Sequence, residues 1–253
     1  MVYYVLNLTP KVWDFIILFY YIIERTIVLN LLEEILSDIK PAYEESKTKA
    51  KEKLDNLAKP LGSLGQLEEI AIKLSGITGE IKNPMEKKCM VVMSGDNGIV
   101  EEGVSCCPQN ITAIQTINFI RGVTGIGVLA KHAGANLKVI DIGINADITY
   151  PGLIDRKLRK GTSNMAKGPA MSRKEAIRSL EIGIEIVNEL AKEGYNLLGT
   201  GEMGIGNTST SSAMIMSFTD CSVDTAVGKG SGLTDEAFLN KKMIINQAIN
   251  INK

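Results

Sequence analysis

Residues 89–98 read CMVVMSGDNG, a continuous apolar run that ends in a polar turn with two glycines. Apolar runs of this length, bounded by turn residues, are typical of strands that are buried on both faces of a parallel sheet. Two further runs of this kind follow, LKVIDIG at 137–143 and YNLL at 195–198. The stretch at 89–98 therefore predicts the first strand of a parallel α/β sheet.

Helical patterns separate the three predicted strands. Residues 110–120 and 125–132 lie between the first two, and the capping box Ser172-x-x-Glu175 opens a longer helix that ends at Gly194. Apolar residues at helical spacing predict the buried stripe of that helix: Ile177, Leu180, Ile184, Val187 and Ala191. This alternation predicts an α/β fold of three layers, a parallel sheet with helices on both faces.

The chain before residue 85 has a different, mostly helical pattern. Residues 43–57 are rich in Glu and Lys at helix-supporting spacings, and a second helix is predicted over 67–76. Its apolar residues predict a buried stripe: Leu67, Ile70, Ala71, Leu74 and Ile77. We therefore divide the chain into an apolar extension at 1–30, a helical N-terminal part of a small domain at 31–84 and an α/β domain at 85–253.

The extension at 1–30 is apolar but too interrupted to predict a membrane span. Its longest uncharged run, 15–23, has nine residues, whereas a spanning helix needs about 20. A partner-docking amphipathic helix, a membrane-surface anchor and sequence upstream of the true gene start all stay open for this segment. We expect a cytoplasmic protein.

Composition argues against several classes of protein. The 28 basic and 29 acidic residues give a net charge of −1, without the basic excess of a nucleic-acid-binding protein. The cysteines form no C-x-x-C pair, which indicates free, buried or half-buried thiols rather than a zinc site or a disulfide framework. They are Cys89, Cys106, Cys107 and Cys221. The only histidine, His132, is expected to be exposed, so we predict no metal site and no cofactor.

The segment GTGEMGIGNT at 199–208 is the most informative for function. It formally matches the dinucleotide fingerprint G-x-G-x-x-G, but Glu202 places a carboxylate in the loop and the segment comes late in the domain. The alternative is a phosphate site made of exposed N–H groups and polar side chains at a helix N-terminus. Its residues would be Gly204, Gly206, Asn207, Thr208 and Ser209. A tight turn and a helix cap without any ligand is the third interpretation.

Other polar groups lie at predicted element ends. The loop VGKGSG at 227–232 lacks the Walker A order and precedes a helix that Thr234 caps. Lys241 in that helix contacts a phosphate or carboxylate if it faces inward, and is a solvated lysine otherwise. Asp96, which follows the first strand, is placed either for hydrogen bonding in a crevice or for fixing its own turn. Because ligands of open α/β sheets bind beyond the carboxyl ends of the strands, we expect a small-molecule site there.

In order along the chain, these loops resemble the nicotinate-nucleotide:5,6-dimethylbenzimidazole phosphoribosyltransferase family of cobalamin synthesis. The similar segments are KPLGSLGQLE at 59–68, GDNG at 95–98, EGVS at 102–105 with Pro108-Gln109, GTSN at 161–164, and residues 194–208. The family tends to have proline at Leu61 and histidine at Asn97. The resemblance covers roughly residue 32 to the last residue.

The resemblance implies a reaction and a set of roles. A ring nitrogen of dimethylbenzimidazole attacks C1′ of nicotinate mononucleotide and nicotinate leaves, giving α-ribazole 5′-phosphate without a metal. The implied phosphate and ribose ligands are Gly204, Gly206, Asn207, Thr208, Gly230 and Lys241, with Glu202 as a supporting catalytic group. The aromatic base would contact Ser105, Gln109, Gln115 and Met203, and Asp96 would lie elsewhere in the crevice.

The resemblance also implies a homodimer and a longer chain. Family members continue past the helix that contains Lys241, and their assigned general base lies in a Gly-Glu-Gly-Thr-Gly context that this sequence lacks. We therefore expect a C-terminally truncated chain, an incomplete α/β nucleotide-binding domain and some open apolar surface. The alternative functions are a non-catalytic nucleotide- or base-binding remnant and an NAD-dependent enzyme that uses the glycines at 199–204.

Overall fold

The computed structural model describes residues 31–219 and 221–253, so the extension at 1–30 lies outside the described residues. The chain divides into two compact units, Met1–Glu86 and Lys87–Lys253. The described part of the first unit is helical, and the second unit contains the sheet.

The first unit contains helical residues 31–38 (α1), followed by α2 (Glu44–Asp55) and α3 (Gln66–Thr78). α2 and α3 approach closely at Gly76, because a Cβ there would lie only 2.6 Å from Lys47 Cδ of α2. The stripe predicted to be buried in α3 is wrong, since Leu67, Ile70 and Ile77 are exposed. The reason is that α2, the helix that covers α3, is rich in charged residues and meets only the face of α3 that carries Ser75 and Gly76.

The segment KPLGSLGQLE connects α2 to α3. Lys59 Nζ donates a hydrogen bond to Glu68 Oε1 at 2.8 Å, and the amide of Leu64 donates to the same oxygen at 3.1 Å. The hydrogen bond from Lys59, more than that from Leu64, lowers the pKa of Glu68. The segment thus fixes its own loop to the first turn of α3.

The described residues of the second unit contain an open sheet of four parallel strands. They are β1 (Lys88–Gly95), β2 (Ala135–Gly143), β3 (Leu153–Asp155) and β4 (Leu197–Met203), in the order β3-β2-β1-β4. The helices of this unit are α4 (Ile111–Ile120), α5 (Gly125–His132), α6 (Arg173–Lys192), α7 (Asn207–Phe218), α8 (Val223–Ala226) and α9 (Asp235–Ile251). A 3-10 helix, Gly98–Glu102, follows β1.

Helices cover both faces of this sheet. On one face, Val91 of β1 and Ile140 of β2 pack in one cluster with Ile186 of α6. On the other face, α4 and α5 contact β2, and α4 also contacts β1 and β4. The predicted α/β architecture of three layers is therefore confirmed.

The capping box of α6 is confirmed, but its predicted buried stripe is wrong. Ser172 Oγ accepts from the amide of Glu175, and Glu175 Oε2 accepts from the amide of Ser172 at 2.7 Å. The buried apolar residues are Ile182, Ile186 and Leu190, whereas Leu180 and Val187 are exposed. Apolar residues occur around most of this helix, so contact with the sheet rather than spacing determines the buried face.

β4 is longer than predicted. It continues from Leu198 through the glycine-containing stretch to Met203, and Gly199 aligns with Met90 while Met203 aligns with Ser94. A Cβ on Gly199 would lie 2.3 Å from Met90 Sδ. This glycine therefore makes room for a neighbouring side chain within the sheet, and only residues 204–206 form the turn before α7.

One segment of the described chain, Ile111–His132, reaches the length and apolar content of a membrane-spanning helix, with a hydropathy of 1.2. The segment consists of α4 and α5, which are interrupted at residues 121–124. A single segment of this kind is weak support for a membrane span, since helices that pack on a sheet have the same composition.

Candidate active site

The three polar strand ends meet at one edge of the sheet. The amide of Asp96, after β1, donates to Gly143 O of β2 at 3.0 Å, and Asp96 Oδ2 accepts from the amide of Asn145 at 2.8 Å. On the other side, Asn97 Nδ2 donates to Ile205 O at 3.2 Å, and Asn97 Oδ1 accepts from Thr210 Oγ1 at 3.3 Å. The adjacent residues Asp96 and Asn97, which follow β1, thus link the end of β1 to the ends of β2 and β4 through hydrogen bonds.

Two glycines allow the loops to approach closely. A Cβ on Gly204 would lie 2.2 Å from Gly95 O, and one on Gly98 would lie 2.5 Å from Thr162 O. The amide of Gly98 donates to Thr162 Oγ1 at 3.1 Å. The segments GDNG, GTSN and GEMGIGNT, which are far apart in the sequence, therefore pack directly on one another.

A cavity of about 130 Å³ lies beside these loops. Its wall is formed by the loop that follows β1 and its 3-10 helix, by the turn between β4 and α7, and by the loop before α9 together with Lys241. At about 30 Å³ per water molecule the cavity has room for about four waters, less than the roughly 300–1,000 Å³ of pockets for whole ligands. Its lining residues are Val104, Ser105, Cys106, Ile205, Gly206, Asn207, Thr208, Lys229, Gly230, Ser231, Leu233 and Lys241. The size suits a small polar group rather than a whole nucleotide.

Lys241 supplies a buried positive charge to this cavity. Its side chain, from α9, is 1% exposed, and Nζ donates to Thr208 Oγ1 at 2.7 Å and to Gly228 O at 3.0 Å. Within residues 31–219 and 221–253, no carboxylate forms a salt bridge with it. Burial lowers the pKa of Lys241 because water no longer solvates the ammonium group. A buried cation with only neutral partners is unfavourable, so an anion in the cavity would stabilise it.

Gly230 closes the cavity next to this lysine. A Cβ there would lie 3.3 Å from Thr208 Oγ1 and 3.6 Å from Lys241 Nζ, and its φ of +65° is in the left-handed region. A side chain at this position would crowd the lysine and the hydroxyl together. The second glycine-rich loop therefore serves the same cavity as the β4–α7 turn.

Most amides of the β4–α7 turn are already hydrogen-bonded within the protein, contrary to the expected row of exposed N–H groups. The amide of Ile205 donates to Thr112 Oγ1, that of Asn207 to Gly204 O and that of Thr208 to Asn207 Oδ1. The amide of Gly206 makes no hydrogen bond of this kind among the described residues. Within this turn, the amide of Gly206 is therefore the one that stays available to an anion beside Lys241.

The remaining predicted site residues are distributed around the crevice. Ser105 lines the cavity, whereas Gln109 Oε1 accepts from Asn145 Nδ2 at 3.0 Å and Gln115 Oε1 accepts from Asn118 Nδ2 at 3.1 Å. Met203 is the last residue of β4. Glu202 is exposed and accepts from Asn207 Nδ2 at 2.5 Å.

Asp96 and the cysteines differ in how far they are buried. Asp96 is buried, and its Oδ1 has no hydrogen-bond partner among the residues that the structure describes. Cys89 is buried, as expected, and burial raises the pKa of its thiol. Cys106 is exposed, contrary to prediction, because it lies in the loop that forms the cavity wall. In the described part of the chain, no three His, Cys, Asp or Glu side chains are grouped to hold a metal ion.

The sequence predicts no role for Lys229 and Ser231, and it predicts Thr112 only as part of the base-binding stretch 105–115, not as a residue that holds the turn. Thr112 holds the turn through the amide of Ile205, and Lys229 and Ser231 line the cavity. The glycines on each side of Lys229 and Ser231 were the only available signal. An open parallel α/β sheet with a buried cation in a cavity beside the loops that follow the adjacent strands β1 and β4 defines the class, an α/β protein with a site for a small anionic group.

Comparison with known proteins narrows this class to a family. Residues 39–253 match the family model DBI_PRT, described as phosphoribosyltransferase. The chain is 56% identical over 227 residues to a nicotinate-nucleotide–dimethylbenzimidazole phosphoribosyltransferase of Clostridium tetani (strain Massachusetts / E88), covering 90% of this chain and 63% of the relative. The corresponding enzyme of Clostridium acetobutylicum is 54% identical over 222 residues, 88% of this chain and 63% of the relative.

A solved structure agrees with these relatives. The crystal structure of CobT from Thermus thermophilus has a TM-score of 0.78 at 37% identity, covering 81% of this chain and 62% of that chain. The chain therefore belongs to the nicotinate-nucleotide–dimethylbenzimidazole phosphoribosyltransferase family, and the resemblance seen in its loops is confirmed. It spans a little under two thirds of the length of these relatives.

Proposed function

We propose that this chain provides the nucleotide site of an enzyme that transfers the phosphoribosyl group of nicotinate mononucleotide to 5,6-dimethylbenzimidazole. The products would be α-ribazole 5′-phosphate and nicotinate, used in assembly of the cobalamin nucleotide loop. The observation that carries this proposal is the buried Lys241, which lacks an acidic partner among the described residues and faces a cavity of about 130 Å³. The relatives support the substrates, since they are named for both.

The phosphate of the nucleotide fits this cavity by size and charge. Lys241 Nζ supplies the positive charge, and the amide of Gly206 supplies a hydrogen bond. Because Thr208 Oγ1 accepts its hydrogen bond from Lys241, the hydroxyl proton of Thr208 is free to be donated to a phosphate oxygen. Asn207 and Gly230 complete the wall around the phosphate and ribose.

Fixing the phosphate positions the ribose for displacement at C1′. The pyridinium ring leaves as a neutral base, so the protein's task is alignment of the reactants and removal of a proton from the attacking benzimidazole. Ser105, Gln109, Gln115 and Met203 form the proposed surface for the aromatic base, and Asp96 fixes the crevice through Asn145. Glu202, exposed and bound to Asn207, has a supporting role rather than that of the general base.

The proposed enzyme is a pentosyltransferase that needs no metal or cofactor for this step. We place it in the cytoplasm as a homodimer, in line with its family. Nucleic acid is not a partner in this proposal, since the net charge is −1.

A second candidate function is binding without turnover. Among the residues that the structure describes, the cavity lining includes no Asp or Glu that could act as the general base. Glu202 does not replace that base, because position as well as chemistry decides which group removes the proton. The chain would then hold nicotinate mononucleotide or the aromatic base without releasing nicotinate.

The test combines calorimetry with an assay of nicotinate release. Nicotinate mononucleotide is expected to bind more tightly than NAD, and Lys241→Met is expected to weaken it about 10–100-fold, because a hydrogen bond to a charged group contributes about 1.5–3 kcal/mol. Lys242→Met is the matched control, since Lys242 Nζ pairs with Asp224 at 2.7 Å and does not line the cavity.

Four outcomes separate the alternatives. Release of nicotinate in the presence of dimethylbenzimidazole supports the transferase, and binding without release supports the second candidate. Unchanged affinity in Lys241→Met contradicts the assignment of the phosphate site. Tighter binding of NAD would favour a dinucleotide site instead.

A further inference from the structure

Two adjacent thiols lie at the cavity. Cys106 Sγ is 3.2 Å from Ser231 Oγ and 3.8 Å from Cys107 Sγ, and both Cys106 and Ser231 line the cavity together with Lys241. Cys106 is exposed, whereas Cys107 and Cys221 are half-buried and Cys89 is buried. Of the four thiols, Cys106 thus combines access from solvent with a place in the cavity wall.

The surroundings of Cys106 favour its ionised form. The hydrogen bond with Ser231, and after it that with Cys107, lowers the pKa of Cys106, whereas the hydrogen bond with Cys106 raises the pKa of Cys107. Cys106 is therefore the first of the pair to become a thiolate, the form of cysteine that acts as a nucleophile. Lys229 and Lys241 line the same cavity; Lys229 pairs with Asp235, so the charge of Lys241 is the one that attracts anionic reagents towards it.

We propose that Cys106 is a modification site for low-molecular-weight disulfides and that the mixed disulfide formed on its sulfur closes the anion cavity. The Cys106 thiolate attacks one sulfur of the reagent R–S–S–R, the S–S bond of the reagent breaks, and R–S⁻ leaves with the bonding electrons. A free thiol reverses the step by attacking the mixed disulfide. This modification is separate from phosphoribosyl transfer and consumes no substrate of that reaction.

The mixed disulfide is the end product rather than a Cys106–Cys107 bond. Consecutive Cα atoms are about 3.8 Å apart across a trans peptide, whereas disulfides usually join Cα atoms about 4.4–6.8 Å apart. The structure has no cis peptide bond in the residues that it describes. Attack by Cys107 on the modified Cys106 would therefore form a strained ring that thiols reopen easily.

The mixed disulfide on Cys106 closes the anion cavity because the cavity is small. At about 30 Å³ per water, a space of about 130 Å³ has room for about four water molecules. A group attached to the Cys106 wall occupies the space that an anion next to Lys241 would need. Modification of Cys106 and binding of phosphate are thus expected to exclude each other.

The experiment uses 5,5′-dithiobis(2-nitrobenzoate), an anionic aromatic disulfide that releases a coloured thiolate. One equivalent of thiolate is expected in a fast phase, and the fast phase should disappear in Cys106→Ser and persist in the control Cys221→Ser. Saturating inorganic phosphate is expected to slow the fast phase at least threefold. Protein treated with glutathione disulfide should lose phosphate binding in calorimetry and regain it after dithiothreitol.

Several results would overturn the proposal. A fast phase that remains in Cys106→Ser assigns the reactivity to another thiol. Two fast equivalents in the unmodified chain but one in Cys107→Ser, with no reagent attached to the unmodified chain by mass spectrometry, would show a bond between the adjacent cysteines instead. Full phosphate affinity after modification of Cys106 would refute closure of the cavity.

Discussion

Lys241 shows how one buried side chain couples anion binding to pH. Its ammonium group donates only to neutral oxygens, of Thr208 and Gly228, and burial lowers its pKa below the ordinary value of 10.5. In the pH range between the folded and unfolded pKa, the unfolded chain binds more protons, so the free energy of unfolding increases with pH there. An anion in the cavity favours the charged lysine and opposes this shift.

Affinity for an anion should therefore fall as the pH rises through the lowered pKa of Lys241. Inorganic sulfate is the probe, because it keeps its charge over this range and only the protein titrates. Calorimetry from neutral pH upward is expected to show the loss of affinity before pH 10.5, and Lys241→Met should bind weakly at every pH. Constant sulfate affinity up to pH 10.5 would contradict the role of the lysine.

Gly206 is a second residue whose conformation the cavity requires. Its φ is +87°, and a Cβ would lie 2.7 Å from Val100 Cγ2. Gly206→Ala is expected to reduce the free energy of unfolding by at least about 1–2 kcal/mol, the cost of a left-handed residue with a Cβ. Urea denaturation measures the change.

Gly183→Ala in α6 is the matched control for this prediction. A Cβ there meets no atom within 4 Å, and its φ is not in the positive range. Because alanine is a better helix former than glycine, this variant should gain about 0.5–1 kcal/mol. Equal effects of the two substitutions would show that neither backbone conformation nor contact with Val100 matters.

At the scale of elements, continuous apolar runs predict the strands correctly, whereas glycine content does not indicate where β4 ends. Residues 89–94 and 137–143 predicted β1 and β2 because strands buried on both faces need apolar residues throughout. The sequence of residues 199–203 predicts a loop, because glycine is infrequent in strands. The strand continues there because Met90 of β1 lies over Gly199, a contact that local sequence does not encode.

Part of the candidate site was similarly predictable. The sequence predicts a site that includes Ser105, Gly206, Thr208 and, from the following helix, Lys241. These residues line one cavity, whereas Gln115 and Met203 do not line it. The position of Cys106 beside Ser231 depends on how two loops 125 residues apart meet. Turn composition predicts that a loop exists. Which other loops it contacts depends on how the whole unit packs.

The N-terminus of α6 offers a test of local signals. Ser172→Ala removes the acceptor for the amide of Glu175, so a loss of about 0.5–2 kcal/mol in the free energy of unfolding is expected. Ser179→Ala, inside the same helix, is the control and should be neutral or stabilising, because Ser179 only donates to Ala176 O. Thermal or urea denaturation of the two variants measures these changes in the free energy of unfolding. A neutral Ser172→Ala would mean that sheet packing alone sets the start of the helix.

At the scale of the whole molecule, a face of α7 is left uncovered by the described residues. Met214, Ile215 and Phe218 are exposed, Phe218 to 81%, and a largely apolar cavity of about 450 Å³ adjoins Met214 and Phe218. The relatives are longer than this chain. Exposed apolar surface of this kind promotes self-association in water.

Phe218→Ser should therefore decrease concentration-dependent association of the chain. Because the side chain is mostly exposed, the free energy of unfolding should change by less than about 0.5 kcal/mol. Analytical ultracentrifugation over a concentration series measures the effect, with Leu239→Ser, another exposed apolar residue, as the control. Equal effects of both variants would assign association to general hydrophobicity rather than to this face of α7.

The side chain of Asn97 also determines how the junction between β1 and β4 responds to pH. Its amide side chain holds Ile205 and Thr210 by two hydrogen bonds, at a position where the family tends to have histidine. Histidine gains a proton in mildly acidic solution, between about pH 5 and 8, and an amide does not. Acidification therefore leaves the Asn97 side chain neutral and its two hydrogen bonds intact. An imidazole at this position would acquire a positive charge beside Ile205 O.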